Sequence, residues 1–460
     1  MSFVRSSKFR HVFGTAVKPE NAYTDLRANI AAFDTDYIKA NTLFFTFPWQ
    51  GGGGSLAVIK HGDTGKKSAD TPTLSGHTGQ IVDFAFNPFN EYILASGSTD
   101  ATVKIWSIPE GGLTETITES AVSLEGHLKK INNVLWHPTA NNVLLSTGSD
   151  HKVNLWDVEL GKERASFENV FQDTIHSVAY NKNGSQLVAT SKDKKMRLLD
   201  PRASNPVTAE TDGHQGTKAS RAIFLTGQND RIFTVGFTKA SERHFMIWDP
   251  RDISKPILNQ DIDVSAGLIM PFYDEGTNLL FLAGKGDGNI RYFELVDSDP
   301  YIYHISDFKS TDPQRGMCMV PKLGMDTSSC EVVRLLKLEN KIVTPISFQV
   351  PRRSDLFQPD IYPDTVAPEA TLTADEYFAG ENKDPIYVSM KPGENKYAGK
   401  ANTFSADKVE KKAPKAALPK PASSPQELQK QNEELRKRVE ELHKENYELK
   451  NKLQELEGKQ

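Results

Sequence analysis

Five times along this chain an acidic turn residue is followed, six positions later, by a large apolar side chain, and this recurrence constrains the fold more than any other feature. The pairs are Asp100/Trp106, Asp150/Trp156, Asp193/Leu199, Glu242/Trp248 and Asp287/Phe293. Their second members stand 50, 43, 49 and 45 residues apart. A period of that length, with Gly-His ahead of the unit and an aromatic closing it, marks the blade of a β-propeller. Most enzyme readings fall away at once, because the acidic and aromatic residues are already committed to turns and strands.

Three strands are legible in each repeat. The first cover 82–86, 133–136, 177–180, 221–225 and 267–272. Pro88 and Pro138 end two of them, as residues that cannot extend a ladder should. The second strands, 92–96, 143–147, 187–191, 231–235 and 279–283, are nearly continuous apolar runs, the pattern of burial on both faces. The third alternate, with Val103 and Ile105, Val153 and Leu155, Met196 and Leu198, Phe245 and Ile247, and Ile290 and Tyr292 on one side. A fourth, outer strand is inferred. Upstream, 30–33, 42–47 and 56–59 supply another blade; downstream, 301–308, 315–320, 332–338 and 345–350 supply one more. The expected fold is all-β, a seven-bladed WD-repeat β-propeller over residues 1–351. An open ring would expose sheet edges, so an N-terminal strand at 9–13 is expected to complete the last blade.

After residue 351 the repeat is lost. Residues 352–400 keep aromatics, among them Phe357, Tyr362, Tyr377, Phe378 and Tyr387, and are expected to pack on the propeller as an extension. Residues 401–425 hold Lys408, Lys411, Lys412, Lys415 and Lys420 with Pro414, Pro419, Pro421 and Pro425, the composition of a basic extended linker. Residues 426–460 carry a heptad pattern. Leu428, Leu435, Leu442, Leu449 and Leu456 form one apolar column; Asn432, Val439, Asn446 and Leu453 form the other. That predicts an α-helical coiled coil, and Asn facing Asn selects parallel, in-register pairing as a dimer or trimer.

Charge and composition remove several function classes. The formal net charge is −5, from 55 basic and 60 acidic side chains, too balanced for a nucleic-acid binder. A zipper-type DNA reader needs a basic helix running into the coiled coil, and the four linker prolines forbid it. Cys318 and Cys330 are the only cysteines, so no disulfide framework exists and a reducing, cytoplasmic compartment is expected. The N-terminus lacks a secretory apolar stretch, and the longest apolar runs, such as 279–283, fall far short of a transmembrane segment.

No cofactor or metal is expected. The glycine-rich run at 284–288 joins two strands rather than opening a helix, and a phosphate loop ending at Lys66 would need Gly, not Lys, at position 60 and Ser or Thr, not Lys, at position 67. His77 with Asp100 and Trp106, and His127 with Asp150 and Trp156, are expected to form structural relays through Ser98 or Ser149. Basic clusters at Arg5, Lys8 and Arg10, at Arg27, at Lys129 and Lys130, at Lys192, Lys194, Lys195 and Arg197, and at Arg352 and Arg353 are the better lead. Convergence of several on one rim would suit an acidic polymer.

Several segments are also similar to a known family. Ser7, Lys8, Phe9, Arg10, His11, Val12, Phe13 and Gly14 resemble the opening of coronins, as do the runs at 109–114, 284–287, 290–293, 313–317, 350–352, 354–358 and 360–365. The resemblance covers about residues 4 to 380, and the coiled coil fits a short, single-propeller coronin. It implies a non-enzymatic actin-cytoskeleton protein of the cell cortex. Its propeller would contact filament sides, its coiled coil would bundle or crosslink them, and its further partner would be the branched-actin nucleating complex. Arg27 matches the family's filament-contacting arginine; Lys8, Arg10, Lys194 and Lys195 join it as candidates on their charge. One departure stands out: Arg438, Val439 and Leu442 fit a trimer signature, but His443 stands where Glu is required. The alternative reading is a generic WD-repeat scaffold or adaptor.

Overall fold

The computed structural model describes residues 6–30, 34–227, 230–353 and 356–394. The linker at 401–425 and the heptad segment at 426–460 lie outside the described residues. Among those described, seven sheets form the blades of a propeller, six of four strands and one of six. The second strand of a blade is buried throughout, as in Ile93–Ser98, Val143–Gly148, Leu187–Ser191 and Leu279–Gly284. Each such aliphatic side chain contributes about 1.5–3 kcal/mol by leaving water. The outer strands that sequence patterning left undefined include Val122–Glu125, Lys162–Phe167, Val207–Asp212 and Leu258–Asp263. Val122–Glu125 and Val207–Asp212 alternate between buried or half-buried and exposed positions, and Lys162–Phe167 and Leu258–Asp263 have few buried positions, which hides them from a hydrophobicity search.

Neighbouring blades are stitched at their inner strands. In blades two, three and four the inner strands Ile81–Phe86, Ile131–Trp136 and Ile175–Tyr180 each carry a register shift near their start. Such bulges re-aim side chains. Here Asp83 accepts from the Val134 amide of the next blade at 2.9 Å, and Ser177 accepts from the Ala222 amide at 3.3 Å.

The seventh blade closes the ring with chain from both ends of the domain. Gly316–Met319, Glu331–Leu338 and Val343–Gln349 are followed by an N-terminal strand, as expected, but at Phe13–Ala16 and Tyr23–Thr24 rather than 9–13. Phe9 and Val12 are buried in a turn before it. Two further expectations need correction. The segment at 301–308 is the outer strand of blade six, not part of blade seven. The inner strand of blade one is Lys39–Ala40 rather than 30–33; Ile30 is in no strand, and 31–33 lie outside the described residues.

Topology divides the ring into two faces. Each inner strand starts at what we call the entry face, where the turn between the second and third strands also lies. The turns between first and second and between third and fourth strands lie on the return face. Residues 356–390 run over the return face. Tyr362 donates to the Glu331 carbonyl of blade seven at 2.9 Å. Tyr387 donates to Glu275 of blade six at 2.7 Å. Leu372 accepts from the Asn141 amide of blade three at 2.8 Å. A capping box at Thr373 and Glu376 starts the short helix Ala374–Phe378. That helix buries Tyr377 against His137, with ring centroids 4.2 Å apart, and places the Arg202 guanidinium over the Tyr377 ring.

Candidate interaction surface

The entry face is built on turns that buried hydrogen-bond relays hold rigid. In blade two, Trp106 Nε1 donates to Ser96 Oγ at 2.8 Å, and Ser96 stands 2.8 Å from His77 Nε2. Since the hydroxyl accepts from the indole, it donates to Nε2, and Nδ1–H then donates to Asp100 at 2.9 Å. Blade three repeats the arrangement with Trp156, Ser146, His127 and Asp150. The relay therefore passes through Ser96 and Ser146, not Ser98 and Ser149. Ser98 instead accepts from the Asp100 amide, and Ser149 donates to Asn132. Burial works against the Asp100 carboxylate, but its bonds from His77 and Thr102 outweigh that and hold its pKa well below the ordinary range. Gly126 and Gly148 are required by closeness: a Cβ on them would lie 2.7 Å from the Trp156 ring and 2.2 Å from Asp150.

The other repeats brace the same place with different chemistry. Blade four has Arg197, 2.8 Å from Asp193 and 2.7 Å from Glu210. In blade five the partner of His214 is His244, at 2.7 Å, rather than Glu242, because the hairpin ladder continues to Phe237 and Arg243 and lifts Glu242 into the turn. Asp287 of blade six pairs at 2.7 Å with Arg243, which is also clamped by both oxygens of Asp263. The His77–Asp100 and His127–Asp150 pairs, which could suggest catalysis, are thus engaged in holding turns.

On this scaffold Arg27 is exposed between buried Leu26 and Ala28. Its carbonyl accepts from Gln50 of blade one at 2.7 Å, and the Leu26 amide donates to Lys341 of blade seven at 2.9 Å. Its backbone is fixed on both sides at the entry face, and its side chain has no ion-pair partner among the described residues. Lys194 is also exposed there, in the left-handed region at φ 68°. Its amide donates to Ser191 and its carbonyl accepts from Gly213, which locks that conformation. Lys195 differs: its ammonium is paired with Glu210 on the adjacent strand. Lys192 sits 3.7 Å from Asp173.

Lys8 and Arg10 are elsewhere. Phe13 pairs with Gln349, at the return-face end of blade seven, so the residues before it lie on that face. Lys8 donates to the Asp360 carbonyl at 3.0 Å, and Arg352 pairs with the Asp360 carboxylate at 2.7 Å. The expected convergence of cations on one rim is therefore split between two faces.

Sequence reading missed a charged cluster on the ring axis. Arg221 of blade five reaches Asp36 at 3.1 Å and the Asp34 carbonyl at 2.7 Å. Lys39 contacts Asp36 at 2.6 Å, and Lys285 donates to the Thr35 carbonyl at 3.1 Å. Burial alone would raise the pKa of Asp36, but Lys39 and Arg221 more than offset it and hold it at about 2. Burial and Arg221 lower that of Lys285 to about 8. Only the run at 284–288 hinted at this cluster, and it reads as a turn. Leu128, among the most exposed large apolar residues, was missed too; its amide donates to Asp150 at 2.8 Å, which fixes it on the entry face.

Comparison with known proteins adds three findings. A family profile described as a domain of unknown function (DUF1899) matches residues 2–66, a type of WD40 repeat matches 343–385, and the WD domain G-beta repeat matches 69–107, 118–157 and 162–200. Coronin-A of Dictyostelium discoideum is 53% identical over 391 residues, spanning 85% of this chain and 86% of that protein. The crystal structure of the WD40 domain from Toxoplasma gondii coronin superposes with a TM-score of 0.79 at 34% identity, covering 83% of this chain and 98% of the other.

Proposed function

This chain belongs to the coronin family, and from that premise we propose that it binds actin filaments through the entry face of its propeller and crosslinks them through its C-terminal coiled coil. The observation that carries the reading is Arg27: exposed, held from both flanking blades, and on the face that the extension leaves open. Lys194 is the second contact on that face. Lys195, already paired, is secondary. A filament surface is acidic, and preset cations on a rigid ring suit it without an ordering cost. The heptad segment, with Leu428, Leu435, Leu442, Leu449 and Leu456, supplies two or three propellers per molecule. Linkage of that kind raises avidity by ~10²–10⁴ when the linker lets both modules engage. Regulation of the branched-actin nucleating complex at the cell cortex belongs to the same reading.

The test is co-sedimentation with actin filaments at low ionic strength, where surface charge is least screened. Arg27→Asp should weaken binding at least about tenfold, since a like-charge contact costs several kcal/mol. Undiminished binding would refute the site. Removal of residues 426–460 should abolish bundling while leaving the single-propeller contact, and bundling by the truncated chain would refute crosslinking through the coiled coil.

A further inference from the structure

The entry face presents apolar side chains as well as cations: Leu128, 79% exposed, and Val264, 80% exposed, both protrude from it. Each sits in a connection from an outer strand to the next inner strand, Val122–Glu125 to Ile131–Trp136 for Leu128 and Leu258–Asp263 to Ile269–Asp274 for Val264. A single exposed leucine is ordinary on a protein surface. What sets Leu128 apart is how its backbone is held and what surrounds it. Its amide donates to Asp150 at 2.8 Å, and that carboxylate is itself held by His127. Further along the loop, the Lys130 carbonyl accepts from the Ser149 amide at 2.9 Å. The loop is therefore bound to the blade-three turn on both sides of the side chain, which is presented with little ordering left to do.

Position around the ring separates the two residues. Arg27 is held by blades seven and one, Leu128 joins blade two to blade three, and Lys194 lies in the turn of blade four. Leu128 thus stands inside the arc whose ends are the proposed filament contacts. Lys129 and Lys130 follow it and are exposed, and Lys129 makes no ion pair among the described residues. Val264 joins blade five to blade six, outside that arc, and its charged neighbours are Asp261 and Asp263. Protein interfaces concentrate binding energy in a desolvated centre and leave charges at the rim. We propose that Leu128 is the apolar anchor of the filament contact, entering an apolar hollow on the filament whose carboxylate rim meets Lys129 and Lys130. The proposal rests on the filament-binding reading and adds to it what cations do not supply. Charge brings an acidic polymer to this face quickly, whereas a buried apolar anchor slows its departure.

The experiment is co-sedimentation of the full chain with actin filaments at low and at raised ionic strength. Leu128→Ser should weaken binding about tenfold, the scale of one apolar side chain lost from a buried centre. The factor should be the same at both ionic strengths, because an apolar contact is not screened, whereas the loss from Arg27→Asp should shrink as salt rises. Leu128→Met, which keeps volume and apolar surface, should bind like the parent. Val264→Ser, a change of equal exposure on the same face, should alter binding by less than about twofold. Full binding by Leu128→Ser while Arg27→Asp is impaired overturns the inference and leaves the filament reading standing. Equal losses from Leu128→Ser and Val264→Ser overturn it as well, as does a Leu128→Ser loss that fades with salt. A parent chain that ignores filaments overturns the filament reading and this inference together.

Discussion

The entry and return faces of the ring are made from the same repeats, yet they are finished by different physics. The entry face is a set of tight turns pinned one by one, each by a buried polar relay or a clamped arginine. The return face is pinned collectively by a strap that crosses several blades and buries aromatic rings on their turns. Local pinning leaves side chains such as Arg27 and Lys194 available to a partner. A strap occupies the surface it stabilises. The difference is the ground for placing the proposed filament contact on the entry face, where Arg27 and Lys194 stay exposed.

The strongest way to break that comparison is to loosen the strap. Tyr377 is fully buried, under His137 and against Arg202. Tyr377→Ala should cost about 3–5 kcal/mol in denaturant unfolding, the usual penalty for an aromatic cavity. It should also expose the turns around His137 and Tyr180 to amide exchange while those around Asp100 stay protected. A loss below about 1 kcal/mol would mean that the extension merely rests on the propeller.

Acid should act in the opposite sense, on the entry face. Asp36 has its pKa lowered from 3.8 to about 2 in the folded chain, through Lys39 and Arg221, and Asp263 has its lowered from 3.8 to about 2, through Arg243. A carboxyl depressed on folding contributes stability that is complete above its unfolded pKa and is lost as pH falls toward its folded one. For buried Asp36 the stake is roughly 2 kcal/mol, lost between about pH 4 and pH 2. The Met317 amide, which donates to the Asp36 carbonyl, should lose exchange protection early in that window. Asp36→Asn should flatten the acid limb of the stability profile. An unchanged limb would show that the axial cluster contributes nothing net.

The sequence revealed the ring because its signals are periodic: the Asp-to-Trp spacing and the apolar second strands recur whatever else changes. It misplaced elements where one blade departs from the period. The strand at Ile302–Lys309 looked like the start of a blade because a long apolar outer strand resembles an inner one. Ser96 and Ser146 were passed over for Ser98 and Ser149, since nearness to the turn in sequence is not nearness to the indole in a pleated strand. The site was less legible still. A basic residue announces its charge but neither its face nor its partner; Lys8 and Arg27 differ in the first, Lys194 and Lys195 in the second.

That last pair gives the smallest and most discriminating prediction. Lys194 and Lys195 are adjacent in sequence and indistinguishable by composition. Lys194 projects from a turn locked in the left-handed region, whereas Lys195 is spent on Glu210. Lys194→Glu should therefore weaken filament binding several-fold by co-sedimentation, with unfolding stability within about 0.5 kcal/mol of the parent. Lys195→Ala should do the reverse. It removes an exposed cross-strand ion pair worth about 0–1 kcal/mol and should leave filament affinity within about twofold. Equal losses of affinity from both would mean that charge density alone, rather than a turn presenting one free ammonium, recognises the filament.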